Sequence, residues 1–169
     1  MLNIVHLHPM VIHFPIALFG VSVLFEIIYL INKDSFYRRA AFYLFTIAAL
    51  GVAAAVFTGN LAEEVVENEA IERFLEAHEE AGQFTLIVVI LTFLVRVMLQ
   101  ILDKYYGWYH SLFLLLMAIS LILLIRAAYL GGELVYTHGV GVQTKITGTE
   151  TGQTTGKFYQ KNHEDQEDE

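Results

Sequence analysis

Three histidines stand at the entrance to the first long apolar stretch of this chain. His6, His8 and His13 lie in the segment HLHPMVIHFPIALFG, which also holds both prolines of the protein. Apolar stretches that enter a membrane more often begin with tryptophan, tyrosine or a cation. An imidazole at the edge of hydrocarbon needs a hydrogen-bond partner, a proton or a metal, because an unpaired polar group is costly there. Metal or cofactor binding is therefore the first chemistry that these residues suggest.

The composition predicts an integral membrane protein. Of the 169 residues, 56% are hydrophobic and the mean hydropathy is +0.52, whereas a soluble domain is about 45–50% apolar. The chain has no cysteine, which excludes disulfides, thiolate metal sites, cysteine-ligated iron–sulfur clusters and c-type haem attachment. The net charge of −8 and the lack of a basic patch argue against a protein that binds nucleic acid.

Four apolar blocks define the predicted fold, because each is long enough to cross a bilayer. We predict an all-α protein in which residues 1–142 form an antiparallel four-helix bundle in the membrane. The first block is expected to remain as a helix and not to be cleaved as a signal peptide, since no lysine or arginine precedes it. The predicted spans cover about residues 9–31, 38–58, 82–102 and 109–130, the last of them extendable to 136.

Two polar segments adjoin these blocks. Residues 60–80 are rich in glutamate and carry apolar residues at roughly helical intervals, which predicts an acidic amphipathic helix on the membrane surface. Residues 143–169 form a polar, acidic tail that has few apolar residues to bury, so we expect it to be disordered.

The lysines and arginines predict the orientation in the membrane. Lys33, Arg38 and Arg39 lie in the first connection and Lys104 lies in the third, so the positive-inside rule places both connections in the cytoplasm. Both termini and the acidic segment then face the outer, periplasmic side. This topology brings most of the histidines to the outer face, namely His6, His8, His13, His78 and His138.

Imidazoles that project from facing helices at one depth can hold a haem iron from both sides. We predict His13 and His78 as the axial ligands, because both adjoin apolar blocks that shield them from water. His138 forms a second pair with His6 or His8, or lines the haem edge. The alternative for each is a hydrogen-bonded or surface histidine without a cofactor.

Charged residues inside the apolar blocks need partners as well. Arg126 lies in the fourth block, and its predicted partners are a haem propionate, polar groups of a quinol site or Glu133. Snorkelling of its side chain to the membrane surface is the alternative. Glu26 is expected to pair with Arg38, Arg39 or Arg96. His110, which stands beside aromatic residues at the inner end of the fourth block, is interpreted as part of an aromatic belt.

Small residues recur at four-residue spacing in the second block. Gly51, Ala55 and Gly59 share one helical register, which lets another backbone or a flat cofactor approach closely. Plain helix–helix packing is the simpler of these two interpretations.

Two motifs resemble those of a bacterial family of predicted membrane proteins known as domain of unknown function 2231. The opening motif is HPMVIHFPIAL at residues 8–18, and the closing motif is GGELVYTHGVGV at residues 131–142. The resemblance covers nearly all of the chain outside the tail. It implies four transmembrane helices in the inner membrane of a bacterium and carries over His13, His78 and His138 as characteristic histidines. It supplies no established activity, although it suggests haem binding.

Three functions remain open at this stage. The first is a membrane protein that binds haem b and passes electrons between the quinone pool and another redox protein. The second is a copper or zinc site formed by His8, His13, His78 and His138, since imidazole suits both metals. The third is a structural or assembly subunit without a cofactor, whose histidines pair with glutamates. A homodimer or larger complex is compatible with each of the three. A stand-alone enzyme is favoured less, because no nucleophile–base pair or phosphate-binding loop stands out.

Overall fold

The structure is a computed structural model that describes residues 4–63, 71–105 and 107–141. Within these ranges the chain forms four α-helices, and none of the described residues lies in a β-strand. Each helix is long and apolar enough to cross a membrane, which confirms the predicted all-α, multi-pass fold. The helices are α1 (Ile4–Asn32), α2 (Ser35–Glu63), α3 (Glu72–Leu102) and α4 (Gly107–Tyr136).

The helices pack as a ring in chain order. Each helix contacts its neighbours in sequence, and α1 closes the ring against α4. The contact between α1 and α2 is the most extensive, and the contact between α1 and α4 is the least. Close packing of the first pair follows from Gly51, because a Cβ at that position would lie 2.9 Å from the buried ring of Pro15.

The helices extend beyond the apolar blocks. α1 begins at Ile4, so Pro9 and Pro15 both lie inside it and not in a first turn. α3 begins at Glu72, so His78 lies within the third helix instead of preceding it. In the described part of the chain, the expected acidic surface helix is not a separate element. Its first residues, 60–63, are the end of α2, and its last residues, 72–80, are the beginning of α3. Hydropathy marks the part of a helix that crosses hydrocarbon, whereas backbone hydrogen bonding continues into the polar flanks.

Three predictions fall on residues that the structure leaves undescribed. Residues 64–70 of the acidic segment and the predicted tail at 143–169 lie outside the described residues, and so does the side chain of His6.

The bundle consists of two similar helical hairpins. Lys33 and Asp103, which follow the first helix of each hairpin, both adopt the left-handed conformation with φ of 57° and 49°. The backbone N–H of Lys33 donates to Tyr29 O at 2.9 Å, and that of Asp103 donates to Leu99 O. The two hairpins therefore turn in the same way at corresponding positions.

A buried ion cluster joins the hairpins at the end where α1 and α3 terminate. Glu26 of α1 and Arg96 of α3 are each only 1% exposed, and their closest nitrogen–oxygen distance is 3.1 Å. Arg96 also donates to the backbone oxygen of Arg38 at 2.9 Å. The predicted pairing of Glu26 is thus confirmed with Arg96.

His110 belongs to this cluster, so its interpretation as part of an aromatic belt is wrong. Its ring is buried, and Nε2 lies 3.1 Å from Glu26 Oε1. Tyr105 packs beside it with a ring-centroid distance of 6.0 Å and lies 4.8 Å from the Arg96 guanidinium carbon. Burial raises the pKa of the Tyr105 phenol, which donates to Gln100 Oε1 at 2.8 Å.

Candidate cofactor site

A cavity of about 430 Å³ occupies the opposite end of the bundle, where α1 and α3 begin and α2 and α4 end. All four helices contribute to its wall, which is mainly apolar. Its size falls within the range of about 300–1,000 Å³ that is usual for small-molecule sites. The polar side chains in the wall include those of His8, His13, His78, Glu79 and Thr85.

His8 projects from α1 and is held by α2. Its Nδ1 lies 2.8 Å from Ala55 O and 3.4 Å from Thr58 Oγ1. Since a carbonyl oxygen only accepts hydrogen bonds, Nδ1 carries the proton and Nε2 keeps its lone pair. The ring packs against Gly59, where a Cβ would lie 3.2 Å from His8 Cε1. The small residues of α2 thus give an imidazole room to lie against the helix.

His78 repeats this arrangement in the second hairpin. It projects from α3, and its Nδ1 donates to Ala127 O of α4 at 3.1 Å. The ring lies against Gly131, where a Cβ would come within 2.9 Å of His78 Cε1. Each hairpin therefore fixes one imidazole through a backbone carbonyl and a glycine, and leaves its Nε2 without the proton.

The two rings, called the facing pair below, lie next to each other in the cavity wall in a T-shaped arrangement. Their centroids are 5.9 Å apart and their planes are inclined at 74°. A bond between a metal and an imidazole nitrogen is about 2 Å long, so two trans ligands place their nitrogens about 4 Å apart and their centroids about 6 Å apart. The spacing of His8 and His78 is therefore suitable for one metal ion between them. Donation of the second ring nitrogen to a carbonyl is also typical of metal-binding histidines.

A family model described as predicted membrane protein (DUF2231) matches residues 5–144. The chain belongs to this family. The match includes all four helices and both histidines of the facing pair. No curated protein and no solved structure matches the chain.

His13 occupies a different place in this DUF2231 bundle from the one that its apolar surroundings suggest. It lines the cavity but is exposed, and its Nδ1 donates to Pro9 O at 2.6 Å. His78 faces His8 and not His13. The phase of α1 explains the difference, because His8 and Pro15 fall on the face toward α2, whereas His13 falls on the far side.

His138 lies near the cavity but outside its wall. It follows α4 and packs over Phe74 of α3, with a ring-centroid distance of 4.3 Å. Its Nε2 is buried and has no hydrogen-bond partner among the described residues. The structure therefore places this DUF2231 histidine beside the facing pair without bringing it between the rings.

Arg126 is exposed on α4 and does not line the cavity. Within the described ranges it forms no ion pair with Glu133. Among the described residues, the cavity wall contains no lysine or arginine. Its ionisable side chains there, apart from Tyr136, are the three histidines and Glu79. In the described part of this DUF2231 chain, no group of three or more His, Asp or Glu side chains is placed to share a metal ion.

The sequence named His8 as a candidate, but it also contained an unused signal that His8 pairs with His78. His8 and His78 stand at corresponding positions of the two hairpins, and Gly59 and Gly131 correspond in the same way. A search for internal repeats would have aligned both pairs and favoured His8 over His13.

Proposed function

We propose that this protein binds a b-type haem between His8 and His78 and serves as an electron-transfer module of the bacterial inner membrane. The observation that carries the proposal is the proximity of the two rings, whose centroids are 5.9 Å apart. In each ring the Nδ1–H group donates a hydrogen bond to a backbone carbonyl on the other helix of the same hairpin. Haem supplies reversible one-electron chemistry when it is bound in this way.

The ligand set favours haem over a copper or zinc ion held by protein alone. A structural zinc site uses four protein ligands and a catalytic site three. The cavity offers one facing pair of imidazoles, and the described residues form no group of three ligands. A porphyrin contributes four nitrogens of its own, so two protein ligands complete the coordination of its iron. The apolar wall supports the same choice, because it suits the face of a flat macrocycle.

The residues of this chain have separate tasks in the proposed site. His8 and His78 would hold the iron through Nε2, and the carbonyls of Ala55 and Ala127 would orient their rings. Gly59 and Gly131 leave the space that the rings fill. Arg126 is exposed and outside the wall, so the proposal gives it no contact with a propionate.

The positive-inside rule supports an orientation with both termini and the cavity at the periplasmic face. In this position the module would take electrons from the quinone pool in the bilayer and pass them to a periplasmic or membrane-bound redox partner.

Visible spectroscopy of protein purified from haem-replete cells tests the proposal. We expect a sharp Soret band, with split α and β bands after reduction by dithionite. His8→Ala and His78→Ala should abolish this spectrum, whereas Gln83→Ala, on an exposed position of α3, should retain it. A colourless wild-type protein would exclude the proposal. Loss of the spectrum in His13→Ala but not in His8→Ala would restore the ligand pair predicted from the sequence.

A further inference from the structure

The cavity wall includes an exposed histidine that the proposed haem ligation does not use. His13 lines the cavity and is also exposed on the outside of α1. It lies on the side of α1 that is turned away from α2. The other neighbour of α1 is α4, and the contact between α1 and α4 is the least extensive of the four contacts between adjacent helices. We therefore infer that a ligand dissolved in the lipid reaches the cavity at this contact.

The hydrogen bonding of His13 makes it an acceptor. Nδ1 donates to Pro9 O at 2.6 Å, so Nε2 keeps its lone pair. The neighbours Met10 and Phe14 are 65% and 59% exposed, so this face of α1 is apolar and open, as a surface in contact with hydrocarbon should be. When the imidazole is in its neutral form, its Nε2 is satisfied by a ligand that brings a hydrogen-bond donor.

The depth of His13 agrees with the level of a lipid-soluble head group. The apolar span of α1 begins at Leu7, so His13 lies about 9 Å along the helix from that end. This is the outer margin of the hydrocarbon layer. Along α1, His13 is about 7.5 Å from His8, and both residues line the same cavity although they project from different sides of the helix.

We propose that His13 Nε2 accepts a hydrogen bond from the hydroxyl group of a membrane-borne hydroquinone that enters between α1 and α4. Binding of the hydroquinone stands on the geometry of His13 alone, while transfer of its electrons rests on the proposed haem function. Oxidation of one hydroquinone to the quinone releases two electrons and two protons. If haem is bound as proposed, two equivalents of ferric haem would accept the two electrons of one hydroquinone. His13 takes the proton of the bound hydroxyl and passes it to water at the outer face, and the second proton goes to water.

Photolabelling tests the binding step without any cofactor. Protein in lipid nanodiscs, with and without haem, is irradiated with an azidoquinone and the labelled peptides are identified by mass spectrometry. We expect label on the part of α1 around His13 and on the facing part of α4 in both preparations. His13→Phe should lose the label, and His13→Gln, which keeps an acceptor oxygen, should recover part of it. Gln83→Phe is the matched control, because Gln83 is exposed at the corresponding position of α3 and lies outside the cavity wall.

Reduction kinetics test the transfer step. We expect a short-chain hydroquinone to reduce the haem of His13→Phe at least about tenfold more slowly than the wild type, which is the loss of roughly one hydrogen bond. Reduction by dithionite and the haem spectrum should not change. Equal labelling of the wild type and His13→Phe, or label spread over all four helices as for bulk lipid, would overturn the inference. Specific labelling of a wild-type protein that takes up no haem, even when it is purified from haem-replete cells, would retain the hydroquinone site and reject the haem proposal alone.

Discussion

The ring centroids of His8 and His78 are 5.9 Å apart, although His8 belongs to the first hairpin and His78 to the second. Each is oriented by a carbonyl of its own hairpin, His8 by Ala55 and His78 by Ala127. Because two separate hairpins provide the two rings, the pair exists only while the hairpins are packed together. Changes at the glycines, at the ion cluster and at the helix ends should therefore affect the site in distinguishable ways.

The glycine behind His78 should control the position of that ring. Gly131→Ala would bring a Cβ within 2.9 Å of His78 Cε1, so the imidazole must move away from Ala127 O. We expect the haem affinity to fall by about 10–100-fold, as for loss of an orienting contact at a metal ligand. Haem titration of the apoprotein measures this change. Gly132→Ala is the control, since its nearest neighbour would be 3.9 Å away, and an equal loss there would contradict the prediction.

The ion cluster should stabilise the fold without acting on the cavity directly. Arg96→Met would leave Glu26 buried at 1% exposure without its cation. We expect the free energy of unfolding to fall by about 3–5 kcal/mol, the usual cost of breaking a buried pair by removal of one partner. Denaturation in mixed micelles of increasing SDS fraction gives this value. Arg39→Met is the matched control, because Arg39 is exposed and contacts the Ser35 hydroxyl.

The double variant Glu26→Leu/Arg96→Met should recover much of this loss. It removes both charges, and a buried ion pair is often replaced by apolar residues at little net cost. If the loss of unfolding free energy in the double variant equals the sum of the losses in Glu26→Leu and Arg96→Met, the two residues do not act as a pair.

His138 should be dispensable for cofactor binding. It lies over Phe74 and outside the cavity wall, so His138→Ala should keep the wild-type haem spectrum and lose only packing at the end of α4. Comparison of reduced spectra with those of His8→Ala decides the point. A spectrum as weak as that of His8→Ala would mean that His138 takes part in ligation.

The orientation of the protein can be measured directly, because the chain contains no cysteine. Thr137→Cys, at the exposed end after α4, should react with a membrane-impermeant maleimide in intact spheroplasts. Lys33→Cys, in the exposed connection between α1 and α2, should react only after the membrane is opened. The reverse pattern would place the cavity on the cytoplasmic side and contradict the positive-inside assignment.

The sequence alone determined the fold class, the number of spans and the short connections, since these follow from the length and polarity of consecutive segments. It also predicted that Glu26 pairs with Arg38, Arg39 or Arg96, because a buried charge needs a partner, and the structure selected Arg96. The tertiary structure decided which histidine faces His78. That choice depends on the rotation of α1 about its axis, which is fixed by the contacts of His8 with Gly59 and of Pro15 with Gly51. Apolar neighbours in sequence surround both faces of a membrane helix, so they could not show that His8 turns inward and His13 turns outward.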